Sequence, residues 1–374
     1  MNAISNHVEK AMAAALVTVL AAAAVTSGQP LPAPGLAEMP AHMVLSAPYT
    51  PFASDGSLNA SQAIVNDLAA QASAFGVTTV WVPGSMGQFD TMTIAERKSL
   101  VELWVPAAKR HNLYLVAHVG SGSLAEADDL ARHAARIGAP AIGSVPPYYE
   151  STTDIPTICS FLQVVGAAAP KLPLFYYHIP SLTRADIKVA ELFEAAAAEP
   201  ANSSGASTRV PTLAGVKYVG TDLADWFELV SRWNSTRALL YAPEPKLASY
   251  GLGFGRGTVL AEDFFAPTYL RMRLNYLAHD FARAASEQRF KLAASSTISK
   301  CVRVRVRVRV RVRVRVRVRV SFKLAAFSTI SKCGVEAHTM HACSHVHPAM
   351  RRGSRGACML PCAFCHVHAC KCTS

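Results

Sequence analysis

The feature that most constrains the fold of this chain is a regular alternation of two kinds of segment. Short apolar runs rich in β-branched residues end in Gly or Pro, and segments with helical periodicity separate them at intervals of about thirty-five residues. The apolar runs lack polar alternation, which is typical of parallel strands buried on both faces. Seven such runs cover residues 44–48, 77–84, 113–120, 140–147, 173–180, 213–220 and 238–243.

A (β/α)₈ TIM barrel is the predicted fold, because a weaker eighth strand at residues 253–261 completes the set of right-handed βα units. Helices are predicted over residues 61–75, 93–110 and 124–137. A doubly wound sheet would need a Gly-x-Gly-x-x-Gly turn after an early strand to hold a nucleotide phosphate. The Gly cluster at residues 251–257 comes late and lacks that spacing, so no dinucleotide site is predicted.

The barrel is predicted to occupy residues 43–290, between two segments of different character. Residues 1–42 are assigned as a leader and linker, because residues 11–25 are almost purely apolar but too short to span a bilayer. Either a targeting leader in residues 1–28 or Ala-rich low-complexity sequence fits this pattern. The expected location is the cytoplasm, or an organelle or the secretory route if residues 1–28 act as a leader.

The tail, residues 291–374, concentrates the positive charge and the cysteines. The chain carries a formal charge of +12, yet residues 301–374 alone hold 15 basic residues and one acidic residue. The first 300 residues are therefore slightly acidic and have no electrostatic footprint for nucleic acid. Of nine cysteines only Cys159 lies before residue 301, which indicates a barrel from a reducing compartment without disulfides.

Repeated sequence dominates this tail. Residues 290–301 recur as residues 322–333 with eleven of twelve positions identical, and a Val-Arg alternation lies between them. The tract is interpreted as translated repeat sequence or disorder, with a polyanion-binding arm as the less favoured alternative. A Cys-x-x-Cys-His sequence at residues 362–366 has the form of a haem-attachment motif, but its neighbours lack the spacing of a zinc or haem domain, and no metal site is predicted.

Catalytic groups of a barrel stand at the carboxyl ends of its strands, and this chain places few chemically active residues there. Lys217 lies within an apolar strand, where desolvation should lower the pKa of its amine toward neutrality. A neutral amine can attack a ketone to form a Schiff base, and Tyr177 one strand earlier could move the accompanying proton. The alternative is a strand-end lysine that extends to solvent beside a packing tyrosine. His118 and His178 are interpreted as buried core imidazoles.

Four landmarks, taken in order, resemble the N-acetylneuraminate lyase and dihydrodipicolinate synthase superfamily of class I aldolases. The resemblance covers residues 43–290 and is closer to the lyases than to the synthases, because Leu182 stands where the synthases carry an arginine. The landmarks are Ala-Pro-Tyr-Thr-Pro-Phe at residues 47–52, Gly-Ser-Met-Gly-Gln at 84–88, Tyr-His-Ile-Pro at 177–180 and Gly-Val-Lys at 215–217.

This resemblance assigns roles to individual residues. It makes Lys217 the Schiff-base lysine, Tyr177 the proton-transfer tyrosine, Ser85 and Met86 part of the carboxylate-binding loop, and Tyr149 a supporting tyrosine. It implies cleavage of a keto sugar acid such as N-acetylneuraminate into pyruvate and a sugar aldehyde, without metal or organic cofactor. It also implies a homotetramer of barrels. This sequence departs from the family in that the helical region after the last strand is expected to be truncated.

The sequence departs from the lyase pattern at positions around the carboxylate and around the sugar. Met86 replaces a hydroxyl residue and Gln88 a glutamate, Val219 stands in place of a small hydroxyl residue, and Glu244 lies in an Ala-Pro-Glu-Pro segment instead of Gly-x-Asp-Glu. A pocket that lacks partners for hydroxyl groups rejects a polyol strongly. Two alternatives therefore stand beside the sugar-acid lyase: an aldolase of the same superfamily with another substrate, and a catalytically impaired barrel that binds a keto acid or sugar.

Overall fold

The computed structural model describes residues 33–149, 154–198 and 209–306, with side chains as far as residue 298. Within these ranges eight parallel strands close into a barrel in sequence order, and the first strand pairs with the eighth. The predicted (β/α)₈ barrel is confirmed, including its weaker eighth strand. The strands are β1 (Met43–Ser46), β2 (Thr79–Val82), β3 (Tyr114–His118), β4 (Ala141–Ser144), β5 (Leu174–His178), β6 (Leu213–Tyr218), β7 (Ala238–Tyr241) and β8 (Gly257–Leu260).

Two apolar layers hold the barrel together. An inner cluster fills the space enclosed by the strands and includes Leu45, Trp81, Phe175 and Leu240. A larger outer cluster packs the opposite strand faces against the helices. Because both faces of each strand are buried, the strands read as continuous apolar runs in the sequence.

Helices follow the strands, and five of the described helices begin at a side-chain cap, supplied by Ser61, Thr93, Ser123, Asp154 and Asp222. The predicted capping box is present: the Thr93 hydroxyl accepts a hydrogen bond from the Glu96 N–H, and the Glu96 carboxylate accepts one from the Thr93 N–H. None of the helices in the described part of the chain is long and apolar enough to cross a bilayer. The helices are α1 (Gln62–Ala74), α2 (Ile94–Arg110), α3 (Leu124–Arg136), α4 (Ile155–Ala168), α5 (Pro180–Thr183), α6 (Val189–Ala197), α7 (Leu223–Trp233), α8 (Lys246–Leu252), α9 (Ala266–Leu277) and α10 (Phe281–Val306).

The segment before β1 belongs to the fold, although residues 1–42 had been expected to lie outside it. Ala33, Leu36 and Met39 are buried and join the inner cluster beneath the amino ends of the strands. Arg256 donates hydrogen bonds to the carbonyl groups of Leu36, Met39 and Pro40, which fixes the segment to the residue before β8. A Pro-rich segment without regular structure is expected to lie in solvent. It can be buried here because the Arg256 side chain satisfies its carbonyl groups. Residues 1–32, including the predicted leader, lie outside the described residues.

The last helix also crosses a predicted boundary. Helix α10 continues past residue 290, the expected end of the barrel, to Val306, so residues 291–306 of the expected low-complexity tail are helical. Ala284, Gln288, Lys291 and Ala294 recur at helical spacing and are buried against the barrel, which explains why the helix continues. The remainder of the Val-Arg tract and the Cys/His-rich segment lie outside the described residues.

Candidate active site

The candidate site lies at the carboxyl ends of β2, β5 and β6. Lys217 on β6 is directly opposite Tyr177 on β5 in the strand register, and both side chains enter the barrel. The structure thus brings together the two residues on which the sequence-based hypothesis rests.

The environment of the Lys217 amine is apolar and aromatic. The side chain is 2% exposed. Its Nζ lies 4.0 Å from the centre of the Tyr177 ring and 4.8 Å from that of the Trp81 ring. Burial lowers the pKa of Lys217 from its ordinary value of 10.5 to about 7. Close to half of the molecules therefore carry a neutral, nucleophilic amine at neutral pH.

Tyr177 places a phenol hydroxyl beside the loop that follows β2. Its oxygen lies 3.3 Å from the Ser85 Oγ, within hydrogen-bonding distance. Burial raises the pKa of Tyr177, and the hydrogen bond between Tyr177 and Ser85 opposes this effect in part. The phenol is consequently protonated at neutral pH and has a hydroxyl neighbour with which it can exchange a proton.

The loop at residues 84–88 presents backbone donors next to this pair. In the part of the chain that the structure describes, the N–H groups of Ser85, Met86 and Gly87 make no hydrogen bond to a protein acceptor. A Cβ built on Gly84 would lie 3.8 Å from the Lys217 Nζ, so the loop passes close to the amine. Consecutive unpaired amides form a site suited to a carboxylate.

Other predicted residues take different positions. Tyr149 is 88% exposed, and its expected support of Tyr177 stays a prediction. His118 and His178 are both buried, as predicted. Burial lowers the pKa of His178 to about 4 and holds that of His118 well below its usual range, so both imidazoles are neutral at neutral pH.

Sequence reasoning missed Trp81, the aromatic wall of the site. Its ring is fully buried and lies 5.3 Å from the Tyr177 ring, centre to centre. A Cβ at Gly143 in β4 would come within 2.1 Å of the Trp81 ring, so only glycine leaves room for it. A glycine inside a strand signals such a close approach, and Gly143 was the available clue.

A second buried lysine was also missed. Lys246, at the start of α8, is 1% exposed. Burial lowers its pKa to about 7 against the opposing effect of Glu244. Unlike Lys217, it donates a hydrogen bond to a backbone carbonyl, that of Ala242. Two buried amines with similar pKa values therefore differ in whether they are free to react.

Glu244, which follows β7, is fully occupied by neighbouring donors. Lys291 of α10 forms an ion pair with it at 2.9 Å, Gln288 donates to it at 2.9 Å, and Tyr269 of α9 donates a further hydrogen bond. Burial would raise the pKa of Glu244, but Lys246 and Lys291 outweigh it and hold the pKa below its usual range. The carboxylate serves to anchor the last two helices on the barrel.

The fold and these groups place the chain in a superfamily of class I aldolases built on (β/α)₈ barrels. Residues 40–277 match the dihydrodipicolinate synthetase family. This chain belongs to that family. Among the described residues no cluster of His, Cys, Asp and Glu could hold a metal ion.

Several known proteins similar to this chain are named N-acetylneuraminate lyase. N-acetylneuraminate lyase of Gallus gallus is 32% identical over 241 residues, which cover 64% of this chain and 73% of that protein. The lyase of Rattus norvegicus is 36% identical over 175 residues, covering 46% of this chain and 52% of the relative. The solved structure of Proteus mirabilis N-acetylneuraminate lyase has a TM-score of 0.65 at 22% identity, covering 78% of this chain and 98% of that chain. The last comparison establishes the fold alone.

Proposed function

We propose that this protein is a Schiff-base-forming aldolase that cleaves a 4-hydroxy-2-keto acid to pyruvate and an aldehyde. The observation that carries the proposal is the Lys217 amine, which is buried, has no carboxylate partner among the described residues and has a pKa of about 7. An amine in this state attacks a ketone at neutral pH, where an exposed lysine would be almost entirely protonated.

The reaction begins with addition of the Lys217 Nζ to the C2 ketone of the substrate, followed by loss of water to give an iminium ion. The iminium withdraws electrons from C3, so the C3–C4 bond can break as the C4 hydroxyl loses its proton. Tyr177 accepts that proton while it passes its own to the Ser85 hydroxyl, which releases one to water at the barrel mouth. The resulting enamine takes a proton at C3 from water through the same Ser85 and Tyr177 hydroxyls, and hydrolysis of the iminium frees pyruvate and Lys217.

The loop after β2 holds the keto acid in place. The N–H groups of Ser85, Met86 and Gly87 bind its carboxylate, which leaves the Ser85 hydroxyl to exchange protons with Tyr177. Met86 takes part through its backbone alone. The step needs no metal, because the iminium provides the electron sink.

Trapping with borohydride tests this proposal directly. Incubation with pyruvate and borohydride should convert one lysine to its N-(1-carboxyethyl) derivative, and peptide mass spectrometry should locate it at Lys217. Lys246 is the matched internal control, since it is equally buried and its pKa is also about 7. Lys217→Arg should abolish labelling. Labelling at Lys246 alone, or no labelling, would show the proposal to be incorrect.

The identity of the aldehyde has two candidates. The relatives named N-acetylneuraminate lyase suggest a keto sugar acid that releases an N-acetylmannosamine-like sugar. A shorter and less polar aldehyde is favoured by Val219 and Ala242, which follow β6 and β7 and pack against the inner cluster that includes Tyr177. Glu244 is already held by Lys291 and Tyr269 and is not free to bind hydroxyl groups.

A cleavage assay separates these candidates from an impaired barrel. Release of pyruvate from N-acetylneuraminate supports the sugar acid. Condensation of pyruvate with short aliphatic aldehydes, without turnover of the sugar acid, supports the second substrate class. Labelling of Lys217 without turnover in either assay identifies a barrel that binds keto acids but does not catalyse.

The cellular setting and assembly complete the proposal. A cytoplasmic location is supported by Cys159, a free and buried thiol. A homo-oligomer is supported by the exposed apolar side chains Leu274, Leu277 and Phe281 around the α9–α10 junction. Sedimentation of the full chain distinguishes a tetramer from a monomer.

A further inference from the structure

The segment after β1 contains a buried threonine whose hydroxyl reaches the candidate carboxylate loop. We propose that Thr50 is a positioning residue, which holds the loop at residues 84–88 in the conformation that binds the keto acid. This inference rests on the proposed function, because the loop has a ligand only if the site accepts a keto acid.

The contact between Thr50 and the loop is direct. Thr50 is 4% exposed. Its Oγ1 donates a hydrogen bond of 2.7 Å to the Gly87 carbonyl. A Cβ built on Gly87 would lie 3.0 Å from the Thr50 Oγ1 and 3.2 Å from the Pro48 carbonyl oxygen. The loop therefore packs closely against the segment at residues 48–50, and a side chain at Gly87 would displace its neighbours there.

Together with a second hydrogen bond, this contact fixes the peptide group between Gly87 and Gln88 at both its carbonyl and its N–H. The carbonyl of the Gly87–Gln88 peptide accepts from Thr50, and its N–H donates to the Ser85 carbonyl at 3.1 Å. Gln88 has a positive φ of 55°, a left-handed conformation that a non-glycine residue adopts only at a cost in free energy. The two hydrogen bonds hold the peptide in this orientation.

The orientation of that peptide decides where the donors of the loop point. With the Gly87 carbonyl turned toward Thr50, the N–H groups of Ser85 to Gly87 stay clear of protein acceptors and the Ser85 hydroxyl stays within reach of Tyr177. Without the Thr50 hydroxyl the peptide can rotate and relieve the left-handed Gln88. Such a rotation would disorder the N–H groups of residues 85–87 in the absence of ligand. Binding of a carboxylate would then have to order them, which makes the free energy of binding less favourable.

The surrounding fold does not depend on the same hydroxyl. The turn that follows is held by a hydrogen bond of 2.9 Å from the Asn59 N–H to the Pro51 carbonyl and by the antiparallel bridge between Phe52 and Leu58. Loss of the Thr50 hydroxyl should therefore act on the loop and leave the connection from β1 to α1 in place.

The test compares Thr50→Val, Thr50→Ser and a matched control in the full-length protein. Thr50→Val keeps the shape and removes the hydroxyl, whereas Thr50→Ser restores it. Thr236→Val is the control, because Thr236 is also buried and donates to a backbone carbonyl, that of Trp233, away from the site. The measured quantities are the pyruvate concentration that half-saturates borohydride labelling of Lys217 and the limiting rate at saturation.

We expect Thr50→Val to raise the half-saturating concentration roughly fivefold to tenfold, as loss of one buried hydrogen bond implies. The limiting rate should stay within about twofold, since the Lys217 amine is untouched. Thr50→Ser should return the concentration to near the wild-type value, and Thr236→Val should leave it unchanged. An unchanged concentration in Thr50→Val, or the same change in Thr236→Val, would overturn the positioning role alone. Absence of labelling in the wild type would instead overturn the proposed function together with this inference.

Discussion

Replacement of Lys217 by methionine should stabilise the barrel while it abolishes the chemistry. Methionine has a similar shape and no charge, so it fills the space between Trp81 and Tyr177 without the cost of burying an amine. In the unfolded chain Lys217 has its ordinary pKa of 10.5, and in the barrel burial lowers the value to about 7. The gain in stability from Lys217→Met must therefore depend on pH.

The magnitude and its sign follow from the protons that each state binds. Below pH 7 both states bind the proton, and the folded barrel bears the full cost of a buried ammonium. Between pH 7 and 10.5 only the unfolded chain binds it, so the stability of the wild type rises with pH. At about 1.4 kcal/mol per tenfold change, the cost is about 4 kcal/mol at pH 7 and about 2 kcal/mol at pH 9. A folded-state pKa includes the contacts of the amine in the barrel, so the expected gain from Lys217→Met equals this cost and falls by about half between pH 7 and pH 9.

Thermal unfolding at two pH values provides the assay. We expect the Tm of Lys217→Met to exceed that of the wild type by roughly 5–10 °C at pH 7, and by about half as much at pH 9. Lys98→Met is the matched control, because Lys98 forms only a surface ion pair with Asp129. Its Tm should match the wild type at both pH values. Equal or lower stability of Lys217→Met at pH 7, or a gain that does not shrink as pH rises, would refute the account of Lys217 as a neutral, desolvated amine.

Three further predictions concern the chemistry and the closure of the barrel. Tyr177→Phe should retain borohydride labelling of Lys217 but lower the rate of carbon–carbon cleavage by roughly 10²–10⁴, a split that pyruvate-release kinetics would reveal. The initial rate of labelling should rise by up to about tenfold from pH 6 to pH 8 as Lys217 loses its proton, and a flat profile would contradict the lowered pKa. Arg256→Met should lower stability by about 1–3 kcal/mol in denaturant unfolding, because it leaves the carbonyls at residues 36–40 without their donor. The half-saturating pyruvate concentration should not change in this variant.

The sequence predicted the barrel and the reactive pair because both depend on local patterns. Seven of the eight strands lie within the apolar runs, β1 begins one residue before its run, and the capping box at Thr93 marked the start of α2. Lys217 was conspicuous as a charge inside such a run. The contacts that escaped prediction depend on residues distant in sequence: Trp81 needs the space left by Gly143, and Thr50 reaches Gly87 across the barrel mouth. No local pattern encodes such pairs.

At the two ends of the described chain, composition alone did not predict which residues belong to the fold. Residues 33–42 were predicted to be a Pro-rich linker, but hydrogen bonds from Arg256 hold them against the barrel. Residues 291–306 were grouped with a repeat, yet Lys291 finds its partner in Glu244. In both cases a charged side chain pairs with buried polar groups, whereas the composition of the segment predicts that the segment lies in solvent.

A comparison of the two buried lysines indicates why pKa alone does not identify a nucleophile. Burial lowers the pKa of both amines to about 7, so both are partly neutral at neutral pH. The Lys246 amine is held by the Ala242 carbonyl and lies near the Glu244 carboxylate, and a reaction would have to break these interactions. The Lys217 amine lies over the rings of Trp81 and Tyr177, which stabilise a cation without occupying the nitrogen lone pair. The same rings would stabilise the iminium ion that replaces it. The proposed Schiff-base chemistry therefore favours Lys217 over Lys246, because no described residue holds the Lys217 amine in a hydrogen bond.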